Sequence, residues 1–269
     1  MRILVIFVFI FFSQQSEAQE LFVYTEPASN MAAKSIGVRL TNKFEKEAGT
    51  GKYSYAFSPE IMFGVSKKIM IHVEAFFDTY ENYFKSKGAA LYLKYRFYSN
   101  DEVHSHFRMA AFARGAYNNS IIYYPSIDLS TENTGYEAGV VATKLMNKLA
   151  LSATGSFVHA TNNAAMNKFY YPDSRNALSY SLSAGRLMLP KEYTDYKQAN
   201  LNVMIELLGQ TNLNSSETYL DLAPSLQFIF LSKMRLDVGY RFALVNDLIR
   251  NRENGFLVRF EYNFFNAYK

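Results

Sequence analysis

The chain has 269 residues, 49% of them hydrophobic, 16% aromatic and 19% charged, with a formal charge of +4. That length suits one large β domain or two small ones, and so mild a charge argues against nucleic acid as a partner. Cysteine is absent, so an exported form of the chain is held together by its own core or backbone network and not by disulfides.

Residues 1–18 read as a secretory signal peptide. Arg2 supplies the positive n-region, ILVIFVFIFF at 3–12 the apolar core, and the small residues Ser16 and Ala18 a cleavage site, placed after Ala18. Ten apolar residues fall well short of the roughly 20 that a membrane helix needs. With no cysteine after the apolar run, lipoprotein processing is excluded. Cleavage removes one charge of each sign, Arg2 and Glu17, and leaves the mature chain at +4. No later stretch approaches helix-spanning length, so the mature chain enters a membrane only as strands.

Residues 19–33 contain ELFVYTEPASNMAA, with a proline at Pro27, and show no strand pattern. This leader is either a periplasmic tail or a short plug tucked under the β domain. A tail is the expectation, because termini are usually loosely held.

From residue 34 to 269 the sequence alternates apolar and polar residues with a period of two, which marks strands with two distinct faces. Twelve such segments are expected, at 34–41, 53–65, 69–77, 89–98, 106–116, 135–145, 149–160, 177–189, 200–209, 219–231, 234–244 and 255–265. The fourth is representative: Leu91, Leu93, Tyr95 and Phe97 alternate with Tyr92, Lys94, Arg96 and Tyr98. Short turns near 66–67, 98–105, 146–148, 190–197 and 232–233 alternate with longer polar loops at 42–52, 78–88, 117–134, 161–176, 210–218 and 245–254. With the first strand rising from the periplasm, every long loop lands outside. The expected fold is all-β, a transmembrane antiparallel up-and-down barrel of about twelve strands, an even number as bacterial single-chain barrels require.

A soluble sandwich alternates in the same way, and three features favour the membrane. A twelve-strand closed barrel leaves an interior too wide for side chains alone to fill. The 21 Tyr and 23 Phe recur near strand ends, where an interfacial girdle belongs. The last segment, FLVRFEYNFF, begins at Phe256 and ends at Phe265 four residues before the C-terminus. That run resembles the C-terminal signal by which outer-membrane barrels are recognised, although Asn266-Ala267-Tyr268-Lys269 extends beyond it. Leader, strand pattern and aromatic usage together resemble the outer-membrane β-barrels of Bacteroidota. The resemblance implies outer-membrane lipid and the barrel-assembly machinery as partners and the cell outer membrane as the location.

If the apolar face meets lipid, the lumen receives more basic than acidic groups. Arg39, Lys94, Arg96, Arg108, Arg114, Arg186, Arg241 and Arg259 are then the lumen and selectivity residues of a passive pore for small polar or anionic solutes, since charged rings select ions in channels. Small residues on the same face (Ala56, Gly64, Ala110, Gly139, Ser179, Ser181, Ser183) leave space, which favours a pore over an interior blocked by Arg–Glu pairs. Two other readings stand beside the pore: an occluded structural or surface-interaction barrel, and an outer-membrane lipid hydrolase. The hydrolase rests on His159 and Thr161, spaced like a base and nucleophile on one strand face, without a third group to orient them. His104 and His106, preceded by Asp101 and Glu102, have ligand-like spacing but lie in an expected periplasmic turn, so no metal is assigned. No cofactor motif is present.

Overall fold

The computed structural model describes residues 22–80, 83–102, 105–164, 174–191 and 198–268. The signal peptide expected over 1–18 lies outside them. Twelve strands succeed one another in chain order: β1 Ser35–Glu47, β2 Tyr53–Gly64, β3 Ile69–Asp78, β4 Lys85–Glu102, β5 Ser105–Asn118, β6 Gly135–Met146, β7 Leu149–Ala160, β8 Asn176–Leu189, β9 Asn200–Asn212, β10 Thr218–Phe230, β11 Met234–Asn246 and β12 Arg252–Phe264. Each pairs with its sequence neighbours, and β1 pairs antiparallel with β12, which closes the barrel.

Every expected strand is present, and several run further than the pattern suggests. β1 continues to Glu47 because Lys43, Phe44 and Glu45 stay in register with β12 and β2. The charged run Lys43–Glu47 reads as loop in the sequence, yet a barrel ladder persists beyond its apolar band. The connection contrast is correspondingly weaker than expected. At the rim opposite the termini only 119–134 and 161–175 are long, whereas the segment 190–199 between β8 and β9 at the near rim is itself ten residues.

The two faces of the wall are inverted relative to a soluble protein. Leu91, Leu182 and Ile205 point outward and are 56%, 59% and 48% exposed, whereas Lys94, Glu206 and Asp237 point inward at 0%. Aromatic side chains continue the outer surface near the strand ends, including Tyr53, Tyr117, Tyr136 and Phe264. A contiguous apolar surface encircling a domain is far beyond what soluble monomers expose. It is the surface that lipid covers.

Candidate functional site

The register of the ladder turns the inward charges into rows. Glu60 on β2 faces Arg39 on β1, Arg39 faces Glu261 on β12, and Glu261 faces Arg235 on β11. Arg39 accordingly pairs with Glu60 at 3.1 Å and Glu261 at 2.9 Å, and Arg235 with Glu261 at 3.2 Å and Asp237 at 3.0 Å. Charges of alternating sign directly across an antiparallel ladder attract, and burial strengthens each pair by lowering the local dielectric.

Seven of the eight expected lumen residues face inward: Arg39, Lys94, Arg96, Arg108, Arg114, Arg241 and Arg259. Arg114 pairs with Glu74, and Arg241 with Glu45 and Asp221. Arg186 is the exception. It shares its face of β8 with Leu178, Tyr180 and Leu182, all exposed, and is itself exposed on the outer wall. The alternation places Ser179, Ser181 and Ser183 inward, and Arg186, an odd number of residues from each of them, cannot join them. Close to the end of β8, its guanidinium can reach the headgroup layer while its stem stays in the apolar band.

The leader is not a free tail. Residues 22–33 run inside the barrel and meet residues of β1 to β9, β11 and β12. Glu206, fully buried, accepts hydrogen bonds from the backbone N–H groups of Val23, Tyr24 and Thr25 at 2.9, 2.8 and 3.0 Å, and from the Thr25 hydroxyl at 2.7 Å. Arg259 donates to the Val23 carbonyl, Lys94 to the carbonyls of Pro27 and Ser29, and Arg108 to the Ser29 hydroxyl. Arg39 donates to Glu26 at 2.6 Å. Phe22 and Val23 pack with Met204 and Leu257, and Ala28 with Ala110 and Val141. A segment bonded by its own backbone to buried charges escapes the usual looseness of termini, since its peptide groups are satisfied without water.

Four of the expected selectivity residues, Arg39, Lys94, Arg108 and Arg259, therefore hold this plug. Of the small lumen residues, Gly64, Ala110 and Ser183 lie against it and make room for it. A Cβ on Gly64 would sit 2.0 Å from the Ala32 carbonyl oxygen, where the chain bends over the rim from plug to β1. Among the described residues the inward wall at this level is closed off from water: Arg39 is 6% exposed, Arg235 3%, and Lys94, Glu206, Gln227 and Asp237 0%.

At the opposite end the loop 119–134 folds inward. Ile122, Ile127 and Leu129 bury against Phe76, Ala90, Ala116, Val158, Ala160 and Ala177 of the inner wall. Gln210 on β9 fastens the loop reciprocally, accepting from the Ile127 N–H and donating to the Ile127 carbonyl, both at 2.9 Å. Around it Arg250 forms a bidentate pair with Asp221, and Arg252 pairs with Asp78. Burial pushes the Glu132 carboxyl of this loop up to about 8; Arg252 opposes the shift and Asp128 adds to it. Asp128 moves the other way: burial opposes its charge, but Lys43 and hydrogen bonds from Ser130 and Thr131 outweigh it and lower its pKa.

Arg235 is legible on the polar face of the eleventh strand beside Asp237 and Arg241. Arg250 and Arg252 are not, because both lie within 245–254, which the sequence presents as a polar loop, whereas β12 already begins at Arg252. His159 and Thr161 are not brought together as base and nucleophile. His159 stacks on Tyr136 and bonds Asn176 through Nδ1 at 2.7 Å, while the Thr161 hydroxyl donates to the Thr134 carbonyl. His104 lies outside the described residues, and His106 faces Asp101 at 3.3 Å.

Known structures share this architecture. The COG4313 outer membrane channel from Pseudomonas putida F1 superposes with a TM-score of 0.58 at 11% identity, covering 90% of this chain and 100% of that one. The chain has the fold of an outer-membrane channel. A KdgM porin, solved in complex with disordered oligogalacturonate, superposes with a TM-score of 0.51 at 8% identity, covering 85% of this chain and 99% of its own. At these identities the likeness concerns the fold. No protein-family model and no curated protein matches the sequence.

Proposed function

We propose that the protein is an outer-membrane channel for small polar or anionic solutes, closed at rest by its own N-terminal segment. One observation carries this reading. The plug presents a carboxylate, Glu26, and the carbonyls of Val23, Pro27 and Ser29 to Arg39, Lys94 and Arg259. Withdrawal of the plug would bare those cations, with Arg108, to a lumen whose width twelve strands leave unfilled. Oxyanions of a solute are the natural replacements, because arginine and lysine donate and never accept. One barrel of this fold was solved with disordered oligogalacturonate, which agrees with the chemistry without assigning it here.

Export by the 1–18 signal peptide, insertion through the β12 run from Phe256 to Phe265, and the Bacteroidota-type character of the sequence belong to the same reading. The near rim then faces the periplasm and the loop 119–134 the exterior.

Ion selectivity tests the assignment. In a barrel lacking residues 22–33, replacing Arg39, Lys94 and Arg259 by Gln shifts the reversal potential in a salt gradient towards cation preference. An unchanged reversal potential would remove these residues from any selective role.

A further inference from the structure

Between β5 and β10 the outer wall is unevenly filled. The ladder sets Ala142 of β6 directly opposite Ala153 of β7, and Leu151 of β7 opposite Ala184 of β8. All four side chains point outward, because Thr143, Ser152 and Ser183 beside them are buried on the inner face. The three alanines leave a depression of about 470 Å³ on the lipid-facing surface, bordered by Leu151, Leu182, Ile205 and Lys144 and reaching from Phe107 of β5 to Leu222 of β10. Across five strand spacings it is roughly 24 Å long, a shape that suits an extended apolar chain and not a compact solute. In a bilayer such a dip does not stay empty, since its lining would lose the dispersion contacts that neighbouring atoms supply.

The charges beside it are of one sign. Among the described residues the outward face of β6 to β9 carries no carboxylate, and its two cations are Lys144, which lines the depression, and Arg186. Both stand at the near-rim end of the wall: Lys144 is two residues from the end of β6, and Arg186 is two residues closer to that rim than Ala184. Lys144 aligns with Leu151, and Leu151 with Ala184. Two strand spacings and two residues therefore separate the cations, roughly 12 Å between their Cα atoms. Long, flexible side chains at that separation converge on one group between them. Lys148, in the turn between β6 and β7, is already engaged, donating to the carbonyls of Pro190 and Lys191. A cation on a lipid-facing wall is costly at the midplane and costs little near the interface, so this pair forms a positive patch at the headgroup level beside an apolar groove.

We propose that the depression is a binding site for an anionic phospholipid of the leaflet at the near rim, with an acyl chain laid along Ala142, Ala153 and Ala184 and the phosphate held by Lys144 and Arg186. Charge-assisted hydrogen bonds from arginine and lysine to phosphate are strong, and arginine makes them in pairs. A second copy of this chain is the poorer occupant, because a two-fold contact sets the patch against itself, cation facing cation. The channel reading rests on Arg39, Lys94, Arg108 and Arg259 and uses none of these groups.

The test uses the full mature chain, refolded in detergent and mixed with phosphatidylglycerol or with phosphatidylcholine of the same acyl chains, and counts retained lipid by native mass spectrometry. The wild type is expected to retain one phosphatidylglycerol in preference to phosphatidylcholine. K144Q/R186Q is expected to retain at least fivefold less, and so is A153L, which fills the depression from a lipid-facing position. K233Q, which removes a near-rim cation from the turn between β10 and β11, is expected to match the wild type. Heat-modifiable gel migration verifies folding; should the double variant fail to fold, A153L carries the same expectation. Equal retention of the two lipids by the wild type, wild-type retention by the folded variants, or as large a loss in K233Q overturns the proposal. So does a mass of two chains that A153L reduces to one, which makes a second copy the occupant. Each of these results leaves the channel reading intact.

Discussion

Arg39 sits where three carboxylates converge, Glu26 from the plug and Glu60 and Glu261 from neighbouring strands. Its replacement by Gln would strand buried anions around a neutral group, and breaking a buried pair in this way costs about 3–5 kcal/mol. R39Q is expected to lower the midpoint of urea unfolding measured by near-UV dichroism, and E26Q, which removes only the most exposed of the three partners, is expected to lower it less. Equal midpoints for wild type and R39Q would show that the row is not stabilising. Glu132 makes a pH-dependent prediction. Its carboxyl, raised to about 8 by burial, binds its proton more tightly in the folded loop than in the released one. The docked loop is therefore favoured at low pH, loses stability as pH rises from near 4.5, and levels off above about 8. Cleavage by chymotrypsin at Tyr123 and Tyr124, normalised to a free peptide, should accelerate between roughly pH 5 and 8.5, and E132Q should abolish the acceleration. At this scale the sequence shows which strand residues face inward, because parity settles it. It does not show what they meet, because partners such as Glu26 and Ser29 come from a segment with no period of its own.

The strands themselves are legible because each carries its own alternation, and β12 most of all, with Phe256, Val258, Phe260, Tyr262 and Phe264 on one face. The plug and the inward loop are not. Neither repeats at the period of a strand or of a helix, and both are ordered by side chains of distant strands. Hydrogen bonds to a charged group contribute roughly 1.5–3 kcal/mol each, so the bonds that Glu206 accepts from residues 23–25 make it the principal anchor of the plug's first half. E206A should release that half while leaving the barrel closed between β1 and β12. Hydrogen exchange at Val23, Tyr24 and Thr25 then rises steeply, with little change in the β8–β9 ladder; retained protection at those amides would refute the anchoring role. The same logic explains the small residues at Gly64, Ala110 and Ser183. By size alone they leave open space, and in the fold that space is the impression of the chain's own leader.

For the molecule as a whole, the apolar exterior and the charged interior arise from one pattern read with the correct side outward. Closure of twelve strands then creates a volume that arginine, glutamate and lysine side chains cannot fill alone. The plug fills it near one rim and the loop 119–134 near the other. On the proposed reading conduction requires one of these two segments to yield, and the plug is the one whose Glu26 carboxylate and backbone carbonyls, held by Arg39, Lys94 and Arg259, a solute's oxyanions could replace. The decisive measurement is therefore single-channel conductance in planar bilayers, comparing the mature chain with one that begins at residue 34. A near-silent wild type and stable, anion-preferring steps from the shortened barrel are expected. Silence from a folded, inserted barrel without the plug would contradict that expectation, as would steps of equal size from both.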